Sequence, residues 1–238
     1  MFLKLWKGDL LKLKRKWMLG LILLGPFGAV ALQALNFGLR YDYLTNLYKD
    51  DLWGALLMNI QAFVPPVIIL GMAIITSMLA GIEHETNAWK QLIAQPIRKH
   101  QVLWSKWLLG YSLLLISCVL LALFSVLLGL LLSFGTDIPL DVLFRMSFYP
   151  FLAATPFFVL QLWLAIVFKN QGIALTIGVV CTVFITSGSM MPRWNPLSWP
   201  SLQADFANPI ISVMLGIGLA LLLTIISTID FTRRDVVN

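Results

Sequence analysis

Cysteine and charge are both scarce in this 238-residue chain: two cysteines, two histidines and 12% Asp, Glu, Lys and Arg stand against 59% hydrophobic residues. Cys118 and Cys181 fall inside apolar runs, without metal-ligand spacing and without a partner in the loops, so they read as small buried hydrophobes rather than a disulfide or metal site. The polar surface of a soluble domain is missing as well. A mean hydropathy of +0.87 lies outside the range of soluble domains and makes this a membrane protein.

The apolar runs lack charge at their centres. An Asp, Glu, Lys, Arg or His there costs about 2.5–3.5 kcal/mol on insertion scales and survives mainly where it works. Its absence argues against an ion-coupled carrier built on an intramembrane carboxylate and against a voltage sensor. Intramembrane catalysis lacks its groups too: there is no His-Glu zinc pair, no aspartate dyad and no serine beside a histidine base. Thr186, Ser187 and Ser189 cluster at the end of one run, where hydroxyls bond to helix backbone far more often than they react. No G-x-x-x-x-G-K-[ST] phosphate loop is present, so ATP is not bound by that route and no cofactor is implied in this chain.

What is there is a series of runs long enough to cross roughly 30 Å of hydrocarbon as helices. Six are predicted, about Trp17 to Asn36, Ala55 to Ala80, Trp107 to Leu132, Phe148 to Phe168, Ile173 to Met190 and Ile210 to Asp230. The fifth is the shortest. No alternation of the barrel kind appears, and run length favours helix. The first run also has a basic flank and a small-residue Ala29-Val30-Ala31, as a signal peptide would, but it exceeds the usual apolar core of such peptides.

With six spans, thirteen of the 17 lysines and arginines fall on one side, and only Arg40, Lys49, Arg145 and Arg193 on the other. The positive-inside asymmetry puts both termini in the cytoplasm of a cell membrane. Residues 1–16 interleave lysines with Phe2, Leu3, Leu5, Trp6, Leu10, Leu11 and Leu13, the pattern of an amphipathic helix lying in anionic headgroups; a plain basic flank that orients the first span is the alternative. The expected organisation is therefore an interfacial helix over 1–16, a six-span transmembrane region over 17–230 and a cytosolic tail over 231–238.

Within the spans, Ser212-xxx-Gly216-xxx-Ala220 and Ala174-xxx-Gly178-xxx-Thr182 form small-residue stripes that suit close helix approach, either to a second subunit or within this chain. Pro26, Pro65, Pro66 and Pro156 bend or break spans one, two and four and free carbonyls that neighbours must satisfy.

One long polar stretch interrupts the middle of the chain, EHETNAWKQLIAQPIRKHQVLWSKW, Glu83 to Trp107, within a loop over 81–106. Thr86 or Asn87 can cap a short helix with Glu83 and Glu85 near its positive end. Trp89, Leu92 and Ile93 then share one face, Lys90 points elsewhere, and Pro96 ends the turn. Arg98, Lys99, His100 and Lys106 follow at the foot of span three, at headgroup level. A surface anchor is the bland alternative.

The pattern E-x-E-x-x-x-W-K-x-L-x-x-x-P-I-x-K, carried by Glu83, Glu85, Trp89, Lys90, Leu92, Pro96, Ile97 and Lys99, resembles the permease subunits of type-2 ABC exporters. The chain length, the basic N-terminal segment, the short loop Lys169 to Gly172 and the C-terminal Phe231-Thr-Arg-Arg-Asp235 agree with it. Within that family the chain is most similar to permeases of lantibiotic immunity and bacitracin-type peptide-antibiotic export. The resemblance implies an all-α membrane protein of six transmembrane helices with a cytosolic coupling helix between spans two and three. That helix would dock on a separately encoded ABC ATPase subunit, which binds the ATP. A second permease chain, identical or related, would complete the pathway, and the segment 191–209 would re-enter the outer leaflet. Its Trp194 and Trp199, with Asp42, Asp50 and Asp51 of the first outer loop, are the candidates to face a cationic amphipathic substrate. A non-transporting scaffold or sensor partner, in which the loop binds a signalling protein, is the reading from another class. A lipid-modifying enzyme lacks its catalytic groups.

Overall fold

The computed structural model describes residues 18–85, 99–186, 191–202 and 208–233. Among them every regular element is helical: α1 (Met18–Leu39), α2 (Tyr41–Leu47), α3 (Leu52–Gln61), α4 (Val64–Glu85), α5 (Lys99–Leu131), α6 (Leu140–Ala153), α7 (Thr155–Val167), α8 (Gln171–Thr186), a 3-10 turn (Pro196–Ser201) and α9 (Ile210–Arg233). The expected interfacial helix over 1–16 lies outside the described residues.

Four stretches are long and apolar enough to cross a bilayer: Met18–Leu39, Leu52–His84, His100–Leu131 and Ile210–Arg233. A fifth exists if α6 and α7, bent by 42°, form one broken span. The remaining candidate, α8, has 16 described residues. At 1.5 Å per residue it reaches only about 24 Å, short of the hydrocarbon thickness. The described helices thus supply four or five spans where hydropathy counts six; the predicted fifth span runs on to Met190, and its last residues, 187–190, lie outside the described residues.

Helix α4 is the hub. It packs against α1, α5, α6, α7 and α8, most extensively against α8. Close approach there depends on Gly178, where a Cβ would overlap both Ala73 and the Gln161 side chain. Gln161 bridges the gap from α7, donating to the Ala174 carbonyl at 3.3 Å and accepting from the Gly178 N–H at 2.9 Å. On α9, Ser212, Gly216 and Ala220 are buried, and a Cβ on Gly216 would come within 2.6 Å of the Ala153 carbonyl. Both small-residue stripes therefore face into this chain, through Ala174 and Gly178 in one case and all three residues in the other.

Polarity is arranged inside out, as a lipid solvent requires. Leu24, Leu35, Met58, Val183, Met214 and Leu221 point outward, whereas Gln33, Thr76, Ser125, Ser147 and Gln161 are buried. Several buried hydroxyls turn back to their own helix: Thr76 donates to the Met72 carbonyl at 2.7 Å and Ser125 to that of Leu121 at 2.8 Å. Proline leaves its marks where expected. Pro65 and Pro66 follow the break at 62–63 between α3 and α4, and Pro156 follows the bend at Ala154. Thr155 donates to the Leu152 carbonyl, which Pro156 has deprived of its helical donor, at 2.8 Å.

Candidate coupling site

The helix ends that meet beside the segment 86–98 form a polar knot in an apolar molecule. The carboxylate of Glu83, in the last turns of α4, accepts from the Lys106 ammonium of α5 at 2.9 Å. The two side chains are 0% and 2% exposed. Removing ions from water is expensive, and each is tolerated in this interior because the other neutralises it. One residue on, His84 Nε2 lies 3.2 Å from the Ala165 carbonyl of α7. Gln171, the first residue of α8, donates to that same carbonyl at 2.9 Å and to the Phe168 carbonyl at 3.0 Å. Gly81 of α4 lies beside it, and a Cβ there would meet Gln171 Cγ at 3.5 Å, an ordinary contact distance. The end of α4 is thereby joined to α5, α7 and α8 within one turn of helix.

The foot of α5 is held by stacked rings. Trp107 and Tyr111 are parallel at 4.9 Å, and Tyr111 meets Phe151 at 4.7 Å and Phe158 edge-on at 6.2 Å. Gly110 makes room, because a Cβ would come within 2.8 Å of Phe158. Trp163 of α7 donates to Asp230 of α9 at 2.9 Å, which ties the last long helix to the same end of the bundle.

The predicted coupling residues divide across this knot. Glu83 lies in it and belongs to α4, which runs past Ala80 to Glu85; the predicted short helix after Thr86 or Asn87 lies outside the described residues. Glu85 is the last residue of α4 and Lys99 the first of α5. Trp89, Lys90, Leu92, Ile93, Pro96 and Arg98 lie outside the described residues. Lys106, read from sequence as a headgroup contact, is instead the buried partner of Glu83. The signal that could have found this pair is the placement of one acid and one base at the two inner edges of the same polar stretch, each next to a long apolar run.

At the other end of the bundle, Asp42 lies in the first turn of α2, and Asp42, Asp50 and Asp51 are all exposed. Asp51 also caps α3, its carboxylate accepting from the Gly54 N–H at 2.7 Å. Trp194 is 77% exposed. Trp199, by contrast, is buried and donates from Nε1 to the Arg193 carbonyl at 2.9 Å, so it holds the 3-10 turn in place and offers no free face. That turn packs back on α4, α6, α8 and α9.

Comparison with curated proteins and with solved structures finds no match. Comparison with protein families finds one: the family described as ABC-2 family transporter protein matches residues 7–187. The matched region covers more than half of the chain and contains the whole coupling knot except Asp230. With its long apolar helices and this match, the chain belongs to the ABC-2 transporter family, whose multi-pass membrane proteins are the permease subunits of ABC transporters and leave ATP hydrolysis to a partner ATPase.

Proposed function

We propose that this chain is the permease of a bacterial exporter that expels an amphipathic peptide antibiotic, as in lantibiotic immunity, and that the loop over 81–106 receives the force of ATP hydrolysis. The observation that carries the coupling role is the knot just described: whatever moves the end of α4 moves contacts to α5, α7 and α8 together. Loop residues Trp89, Leu92 and Ile93 supply an apolar face for a groove on the ATPase, while Glu85, Lys90, Arg98 and Lys99 supply charge around it. In this reading the loop and both termini are cytoplasmic, supported by the excess of basic residues on that side. Residues 1–16 lie along the inner leaflet, and the cytosolic tail follows α9, which runs to Arg233.

A second permease chain, identical or related, completes the pathway; the outward apolar side of α8, with Val179, Val183 and Phe184, suits such a neighbour. The peptide character of the cargo rests on Asp42, Asp50 and Asp51 beside Tyr41 and Tyr43 and on the exposed Trp194, a pairing of acid and aromatic groups complementary to a cationic amphipathic ligand.

The coupling role is tested by Trp89→Ala and Glu85→Ala. Truncating an aromatic anchor commonly costs about 2 kcal/mol or more of binding, about thirtyfold in affinity. Both variants are expected to insert and accumulate normally. The ATPase subunit should copurify poorly, most severely with Trp89→Ala, or hydrolyse ATP without export. Full assembly and full export by both variants would reduce the loop to a lipid anchor.

A further inference from the structure

Glu83 and Lys106 hold the only buried carboxylate and the only buried ammonium among the described residues. They join the two helices that flank segment 86–98, bridging 23 positions of sequence at 2.9 Å. Stability alone is a poor reason for such a pair. Replacing a buried ion pair by apolar side chains of similar volume is often neutral or stabilising, whereas removing one partner strands a charge and is strongly destabilising. What an ion pair adds over two apolar side chains is position: two methionines can slide along one another with little change in contact, but opposite charges in a low-dielectric interior pull back strongly against any separation.

We propose that Glu83 and Lys106 are positioning residues that lock α4 and α5 into one body at the feet of the loop, so that a push delivered to the loop displaces both helices together. The lock rests on the coupling role argued above for its function, but not for its existence. The rings of Trp107, Tyr111 and Phe158 carry α5 onward to α7 and α6, and His84 and Gly81 carry α4 to α7 and α8. The ion pair is a direct polar link between the two arms.

The test places nitroxide labels at positions 78 and 101, neither of which belongs to the proposed ATPase contact, after Cys118→Ala and Cys181→Ala, and measures their distance distribution by pulsed electron resonance. The protein is studied in lipid nanodiscs, alone and with its ATPase subunit, nucleotide-free and ATP-bound. In the parent protein one narrow distance is expected, the same in both nucleotide states. Glu83→Met with Lys106→Met should fold and insert, because both charges of the pair are removed together, yet broaden the distribution or make it differ between states. The charge swap Glu83→Lys with Lys106→Glu should restore the narrow, invariant distance. A narrow and invariant distance in the double-methionine protein would overturn the lock, as would a parent protein in which the distance changes with nucleotide. If no ATPase subunit associates with the parent chain, the coupling reading fails by itself. The isolated chain then decides the lock, through whether the double-methionine change broadens the distribution.

Discussion

The Ser117 hydroxyl of α5 donates to the Ile22 carbonyl of α1 at 3.0 Å, across 95 positions of sequence, and Ile22 is the residue whose helical donor Pro26 removes. A proline in one span is thus answered by a hydroxyl in another. In hydrocarbon no water can take the freed carbonyl, so the pair joins the helices as well as satisfying the backbone.

Ser117→Ala is expected to lower resistance to unfolding by about 0.6 kcal/mol, the usual size of an interhelical hydrogen bond in membranes. Pro26→Ala restores the N–H that Ile22 lacks, so the serine change should cost less in that background. Titration with SDS of the single and double variants reads the coupling. Equal losses in both backgrounds would show that Ser117 does not answer Pro26.

Gly178 and Gly28 should respond oppositely to the same substitution. A Cβ at Gly178 overlaps Ala73 and Gln161, whereas one at Gly28 meets nothing within 4 Å. Gly178→Ala is expected to cost about 1–3 kcal/mol by overpacking. Gly28→Ala should be neutral or slightly stabilising. Thermal unfolding in detergent checks both, and a neutral Gly178→Ala would contradict the α4–α8 packing.

Charge at the outer loop can be removed without breaking a helix cap. Asp51 caps α3 through the Gly54 N–H, and asparagine caps about as well as aspartate. Changing Asp42, Asp50 and Asp51 together to Asn should therefore leave folding intact. Protection against cationic peptide antibiotics should fall in a strain that depends on this protein, and unchanged resistance would remove these residues from substrate contact.

Sidedness is open to direct labelling, because Tyr43, Asp141 and Asn170 are all exposed. Cysteines at positions 43 and 141 should react with an impermeant thiol reagent in intact cells. One at position 170 should react only after the membrane is opened. Reaction at 170 in intact cells would invert or break the orientation assigned from the basic residues.

Hydropathy and length were enough to read α1, α4, α5 and α9 from the sequence, since burial of about 20 apolar residues in lipid depends on composition and little else. Pro65, Pro66 and Pro156 announced their breaks for the same local reason, a missing N–H, whereas α1 runs unbroken through Pro26. The family was legible in the polar stretch after α4, whose charge has no place in hydrocarbon. Hydropathy cannot say which way a side chain faces, because a window average has no direction. Only packing decided that Gly178 and Gly216 turn toward Ala73 and Ala153 of this same chain. Only packing put Trp199 inside while Trp194 stayed out. Glu83 and Lys106 show the division most sharply. Each is an ordinary charged residue beside a span when read alone, and each becomes a buried ion when helix rotation brings it to the other at 2.9 Å, because neither could remain there without an opposite charge.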